Sequence, residues 1–307
     1  MDGVRYREVT VKSALTRVLG MPYFSWSLNP YKGCAHACTY CYAREYHARM
    51  GRDTGAGFDR EVDVKVNFAD VLRAELKHLR VRETVALGTG TDPYQPCEGK
   101  YRLSRRTLAA LCDSPLPLVV ITKGSLIVRD IDLLARLSKL VPVRVCLSIP
   151  TVSADVSKRA EPEAAPPRAR LEAVRRLRAG GIDAGVLAAP VLPGLTDDEA
   201  SLDAVAAAAR AHDASFFHIR PLKLDPGVRP HYFRMLAEHF PTLVPPTTAA
   251  FAGRVNQDHA YVDALEQRVA RIRARHGFRE DRHSTESSAR VAVLRTRHEP
   301  DQLRLAI

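Results

Sequence analysis

Short apolar runs alternate along this chain with longer stretches in which apolar residues return every third or fourth position. The runs at 25–28, 84–87, 116–122, 143–149, 184–189 and 215–219 have the length and near-continuous apolar content of strands buried on both faces. A further β-branched run lies at 62–66. Helical spacing covers 68–79, 105–112, 129–140, 168–179 and the stretch after Thr196 to 211, with Ser104 and Thr196 placed as caps and Gly180-Gly181 as a stop. Strand followed by helix, repeated, predicts a parallel sheet wrapped by helices. Six units rather than eight predict an α/β fold of the partial (β/α)6 TIM-type barrel kind.

The pattern also divides the chain. Residues 1–24 read as a polar lead-in, 25–220 as the barrel, 221–277 as a helical C-terminal extension, and 278–307 as a polar, Ser-rich, flexible tail. The extension is expected to carry helices at 229–239 and 261–276, with a Pro-rich bend at 241–246. No run of about 18 uncharged apolar residues occurs, which argues against a membrane span. The first residues have no apolar core of a signal peptide.

Six cysteines in 307 residues, three of them clustered, fit a reducing cytoplasm better than a disulfide framework. The clustered three, Cys34, Cys38 and Cys41, have the spacing C-x3-C-x2-C, with Tyr40 just before the third. Three thiolates so close can surround one metal centre, and a four-iron cluster held by three would keep one iron open. Zinc is the competing occupant, with His36 as a fourth ligand. In a parallel barrel, function gathers at the C-terminal strand ends. There the sequence places the cysteines, then Gly88 to Glu98, Thr122-Lys123, Ser148, Ala188-Ala189 and His218 to Arg220.

The C-x3-C-x-aromatic-C loop resembles the radical S-adenosylmethionine (SAM) superfamily. That resemblance implies a 4Fe-4S cluster on Cys34, Cys38 and Cys41 whose open iron binds SAM. It further implies reductive cleavage of SAM to a 5′-deoxyadenosyl radical that takes hydrogen from a substrate, with a ferredoxin or flavodoxin as electron donor. Asn29-Pro-Tyr-Lys-Gly-Cys34, Thr91-Asp-Pro-Tyr-Gln-Pro96 and Thr122-Lys123 are together similar to the branch related to spore photoproduct lyase. This likeness spans most of residues 7–240. It implies that Tyr40 and Tyr42 lie near adenine and cluster, that Thr91 and Asp92 meet the SAM ammonium and that Lys123 meets its carboxylate. Ser148 would bind the ribose and carboxylate region, and the Ala189 backbone would face the adenine. The lyase has a hydrogen-donating cysteine where this chain has Thr89, so its own reaction does not carry over. Cys97, in the same loop, is the candidate replacement donor, against a reading as a small buried residue. Cys112 and Cys146 are expected in the core.

Charge adds a partner. The formal net charge is +11, with basic clusters from Lys100 to Arg106 and from Arg168 to Arg178. Either can contact DNA or RNA phosphates, or be a solvated helix face. The last residues, Gln302 to Ile307, resemble peptides by which bacterial repair proteins dock on the sliding clamp. The favoured reading is a lyase-like radical SAM enzyme acting on a nucleic-acid base or lesion, as in DNA repair. The alternatives are a radical SAM enzyme acting on a protein or small metabolite, and a non-catalytic iron–sulfur or zinc module.

Overall fold

The computed structural model describes residues 3–80 and 82–279. Its strands are β1 (Arg5–Val9), β2 (Leu15–Arg17), β3 (Trp26–Leu28), β4 (Tyr31–Lys32), β5 (Glu61–Lys65), β6 (Val85–Leu87), β7 (Leu118–Thr122), β8 (Val143–Ser148), β9 (Asp183–Val191) and β10 (Phe217–Pro221). Its helices are α1 (Ala43–Arg49), α2 (Ala56–Arg60), α3 (Phe68–His78), α4 (Glu98–Tyr101), α5 (Leu103–Asp113), α6 (Ile131–Ser138), α7 (Ala154–Ala160), α8 (Pro167–Ala179), α9 (Glu199–Ala211), α10 (Arg229–His239), α11 (Val244–Ala250) and α12 (His259–Arg275).

The main sheet runs β10-β9-β8-β7-β6-β3-β2. The pairings from β3 to β10 are all parallel, and only β2 is antiparallel, on β3. The six parallel strands are the six apolar runs. On β8, Val143, Val145 and Leu147 join the main core, which also holds Leu171 and Val174 of α8. Arg144, Cys146 and Ser148 alternate to the other face and line the barrel interior. Cys146 therefore faces the cavity, where the sequence placed it in the core, while Cys112 is in the core as expected.

Two further expectations change. The lead-in forms β1 and β2, and β1 joins a second sheet of order β1-β5-β4 beside the barrel, so the run at 62–66 lies outside the barrel wall. The C-terminal extension is helical and packs on the barrel. Leu265, Val269 and Ile272 of α12 belong to the main core, and Tyr232 and Leu236 of α10 share a smaller core with Cys38 and Tyr40. The two assigned caps also fail. Ser104 lies inside α5 and donates to the Pro93 carbonyl. Thr196 Oγ1 accepts from Leu192 N at 2.8 Å, and it is Asp198 that caps α9, accepting from Ser201 N at 2.9 Å. The docking peptide expected at Gln302 to Ile307 lies outside the described residues. Among those described, no helix is long and apolar enough to cross a membrane.

Candidate active site

The cysteines sit on the loop between β4 and α1. Gly33 starts it with φ +84°, and a Cβ there would meet the Glu61 carbonyl oxygen at 2.7 Å, so only glycine fits. The loop backbone is gripped from the β6 side by Gln95, which is fully buried. Gln95 accepts from Ala35 N at 3.0 Å and donates to Gly33 O at 3.2 Å and Thr91 Oγ1 at 2.9 Å. Thr91 in turn donates to Gly33 O at 2.6 Å. Asn29 ties the same two loops, accepting from Gly90 N at 2.7 Å.

Asp92 is similarly engaged. Its Oδ1 accepts from Thr122 Oγ1 at 2.6 Å and Tyr94 N at 2.9 Å, and its Oδ2 accepts from Lys123 N at 2.6 Å and lies 3.3 Å from His36 Nδ1. Burial would raise the pKa of this carboxyl, but the His36 ring and the donated bonds hold it below the carboxylate range. A carboxylate offers about four lone-pair directions, and these contacts occupy them. Thr91 and Asp92, expected at the SAM ammonium, line the cavity and also brace the cluster loop against the ends of β6 and β7. His36 faces Asp92 instead of joining the cysteines as a zinc ligand.

Behind Cys38 lies a network that sequence reasoning missed. Glu161, 2% exposed, accepts a hydrogen bond from Tyr40 OH, meets Arg170 Nη2 at 2.5 Å and lies 3.8 Å from Lys123 Nζ. Lys123 also stands 5.5 Å from the centre of the Tyr40 ring. Burial would lower the Lys123 pKa, but a Cys38 thiolate and the Glu161 carboxylate hold it above its usual value. Arg170 Nη1 donates to Ser148 O at 2.9 Å, and Ser148 Oγ donates to Ala189 O at 2.8 Å. Tyr42 is 44% exposed and its OH donates to Thr89 O.

Cys34, Cys38, Cys41, Tyr40, Tyr42, Thr89, Thr91, Asp92, Lys123, Ser148 and Ala189 all line one cavity of roughly 2470 Å3. Cys97 does not. It is 3% exposed and packs with Tyr31, Val62, Val64 and Leu103 against the far face of the small sheet. Burial pushes its thiol up to about 12. The candidate hydrogen donor thus lies buried, outside the cavity lining. In the basic segments several arginines pair with acids. Arg105 pairs with Asp130 and Asp132, Arg106 with Asp70, Arg170 with Glu161 and Arg175 with Glu172.

A profile of the radical SAM superfamily matches residues 28–204. The chain belongs to the radical SAM superfamily. An uncharacterized protein of Mycobacterium tuberculosis (strain H37Rv) is 37% identical over 297 residues, 95% of this chain and 87% of the relative. An uncharacterized protein of Methanocaldococcus jannaschii is 29% identical over 184 residues, 60% and 66% of the two chains. A solved mutant of spore photoproduct lyase with bound AdoMet and dinucleoside spore photoproduct has a TM-score of 0.68 at 13% identity, covering 88% of this chain and 79% of that one. At that identity the likeness is one of fold.

Radical SAM enzymes use a 4Fe-4S cluster and SAM, and the donor set here fits the cluster. Cys34, Cys38 and Cys41 carry free thiols on one cavity wall. Burial pushes Cys38 up to about 12 and raises Cys34 and Cys41 too, so the thiolates need the positive charge that iron brings. Among the described residues no group of three Cys, His, Asp or Glu side chains is gathered for a single metal ion.

Proposed function

We propose that this radical SAM enzyme acts on a nucleic-acid base or lesion. The observation that carries the reading is the charge of the cavity wall, where ten Lys and Arg side chains stand against three carboxylates, Asp92, Asp183 and Glu266. Arg17, Arg49, Lys123, Arg144 and Lys223 pair with Glu83, Glu45, Glu161, Asp183 and Asp225, and a surplus that includes Lys32, Lys65 and Arg220 remains. A wall so biased attracts a polyanion and concentrates it at the mouth. The volume of roughly 2470 Å3 exceeds the range of about 300–1,000 Å3 typical of small-ligand sites, leaving room for a substrate beside SAM. At the rim Arg220 stands 4.9 Å from the centre of the half-exposed Tyr23 ring, a surface on which an unpaired base can stack. A base in duplex DNA would be extruded to enter.

When bound, the cluster and SAM supply the radical chemistry. The chain's part is to hold and orient. Lys123 offers a cation to the SAM carboxylate, and the Ser148 hydroxyl oxygen retains capacity to accept from the ribose. Tyr42 and Ala189 would flank the SAM adenine when bound, and Thr91 and Asp92 fix the loop under them. A ferredoxin or flavodoxin supplies the electron, in a reducing cytoplasm that keeps the thiols free.

The test is binding of single-stranded and duplex oligonucleotides to the reconstituted protein across salt concentrations. Affinity falling steeply with salt supports the reading. Absent or salt-independent binding overturns it and favours a protein or metabolite substrate.

A further inference from the structure

The small sheet has two unlike faces. Paired residues of neighbouring strands share a face and successive residues alternate, so Tyr31, Val62 and Val64 pack toward Cys97, while Lys32, Asp63 and Lys65 point the other way. On that second face the charges do not balance. Its two carboxylates are already engaged, Asp63 with Arg7 at 2.8 Å and Arg52 at 2.9 Å, and the exposed Glu61 with Arg5 at 3.8 Å. Lys32 and Lys65 both line the cavity, and no carboxylate pairs with either among the described residues. Lys65 Nζ donates only to the Asn29 carbonyl, at 2.7 Å, and Lys32 Nζ lies 3.6 Å from the Met50 sulfur. Burial and the Lys32 charge lower the Lys65 pKa to about 8.

His47 stands on the same wall. It leaves the cluster loop on α1 as Lys32 enters it on β4, and it too lines the cavity. It is 2% exposed and packs edge-on against Phe58 at 4.9 Å, and neither ring nitrogen makes a well-formed hydrogen bond among the described residues, the Asp53 backbone acting on the ring only weakly. A buried polar group without a partner is unfavourable, and so are two half-buried ammonium groups without counter-charge. One anion between them relieves both.

We infer that Lys32 and Lys65, with His47 as a neighbouring donor, bind a phosphate group of the substrate beside the cluster loop. This rests on the nucleic-acid reading for the identity of the occupant, a phosphodiester, but the site itself follows from the wall. Two lysines act as point charges on phosphate. Anchored there, the strand would present a neighbouring base to the barrel interior.

The experiment uses reconstituted holoenzyme and the variants Lys32→Gln, Lys65→Gln and the pair. Lys32→Gln is the safer arm, since among the described residues the Met50 sulfur is the one polar partner of that side chain. Three ligands are titrated: a fluorescein-labelled single-stranded oligonucleotide across salt, thymidine 5′-monophosphate, and SAM. Each substitution is expected to weaken oligonucleotide binding several-fold and to flatten the log–log salt slope by about 0.7. The pair is expected to abolish monophosphate binding. Unchanged affinity and slope in the variants, with the wild type binding, overturns the phosphate site. SAM affinity falling in step with phosphate affinity also overturns it, assigning the lysines to the SAM carboxylate. Lysine-dependent monophosphate binding without oligonucleotide binding supports the site and refutes the nucleic-acid reading. No binding of either ligand refutes both.

Discussion

Replacing Arg170 with Met tests the buried network that holds the cluster loop to the barrel. Arg170 has no exposed surface, and beyond Glu161 its guanidinium donates to Ala165 O at 2.5 Å and Ser148 O at 2.9 Å. Without it, Glu161 keeps the Tyr40 hydroxyl, Ser157 Oγ at 3.3 Å and Lys123 at 3.8 Å, but loses its contact at 2.5 Å. Breaking one side of a buried pair costs about 3–5 kcal/mol. At about 2–4 °C per kcal/mol, the thermal midpoint falls on the order of 10 °C. The variant Glu161→Gln/Arg170→Met removes both charges and should recover much of that loss, because two neutral groups carry no stranded charge. Burial would raise the Glu161 pKa, but Arg170 and Lys123 hold it below the usual carboxylate value. The pair's contribution is therefore present above the unfolded pKa of about 4.3 and is lost as pH falls through the lower folded value. Urea unfolding followed by circular dichroism at pH 7 and about pH 3 measures all of this. A single variant within about 1 kcal/mol of wild type, or strict additivity in the double variant, refutes the reasoning.

Other outcomes follow from the same geometry. Cys97→Ala should keep the cluster's visible absorption and the release of 5′-deoxyadenosine from SAM, whereas Cys38→Ala should lose both; loss of SAM cleavage in Cys97→Ala would return that thiol to the chemistry. Gly33→Ala should fail to assemble the cluster, because its Cβ meets backbone that cannot yield; a normal iron content would refute this. Burial and Arg52 lower the His47 pKa to about 4, so the neutral ring favours folding above the unfolded value of about 6.5. Stability should drop by roughly 3 kcal/mol as pH falls from 7 to 4, and His47→Phe should flatten that slope in urea titrations.

The six barrel strands were legible because parallel strands buried on both faces are written as continuous apolar runs. β1 was not, since Arg5, Arg7 and Glu8 are exposed and its apolar residues are only half-buried. Two-residue β4 carries no periodicity at all. The cysteines were legible from spacing alone, and so was the set of strand ends around the cavity. What Thr91 and Asp92 do there was not, because their partners, Gly33, Gln95 and Lys123 N, meet them only once β6, β7 and the cluster loop are folded together. Glu161 was hidden for the same reason. It lies beside Pro162, in a stretch that reads as a break, and its role depends on Tyr40, Lys123 and Arg170 arriving from three other segments. Cys97 shows the converse. Nearness in sequence to Asp92 suggested the cavity, yet α4 turns the thiol into a satellite core.

The most direct measurement is hydrogen transfer. The reconstituted enzyme is reduced anaerobically with SAM and a deuterated oligonucleotide, and the released 5′-deoxyadenosine is analysed by mass spectrometry. Deuterium in the 5′-deoxyadenosine is the expected result. Release of 5′-deoxyadenosine that carries no deuterium from any DNA or RNA tested would contradict the nucleic-acid substrate, and no release from an intact cluster would contradict the assignment as a radical SAM enzyme.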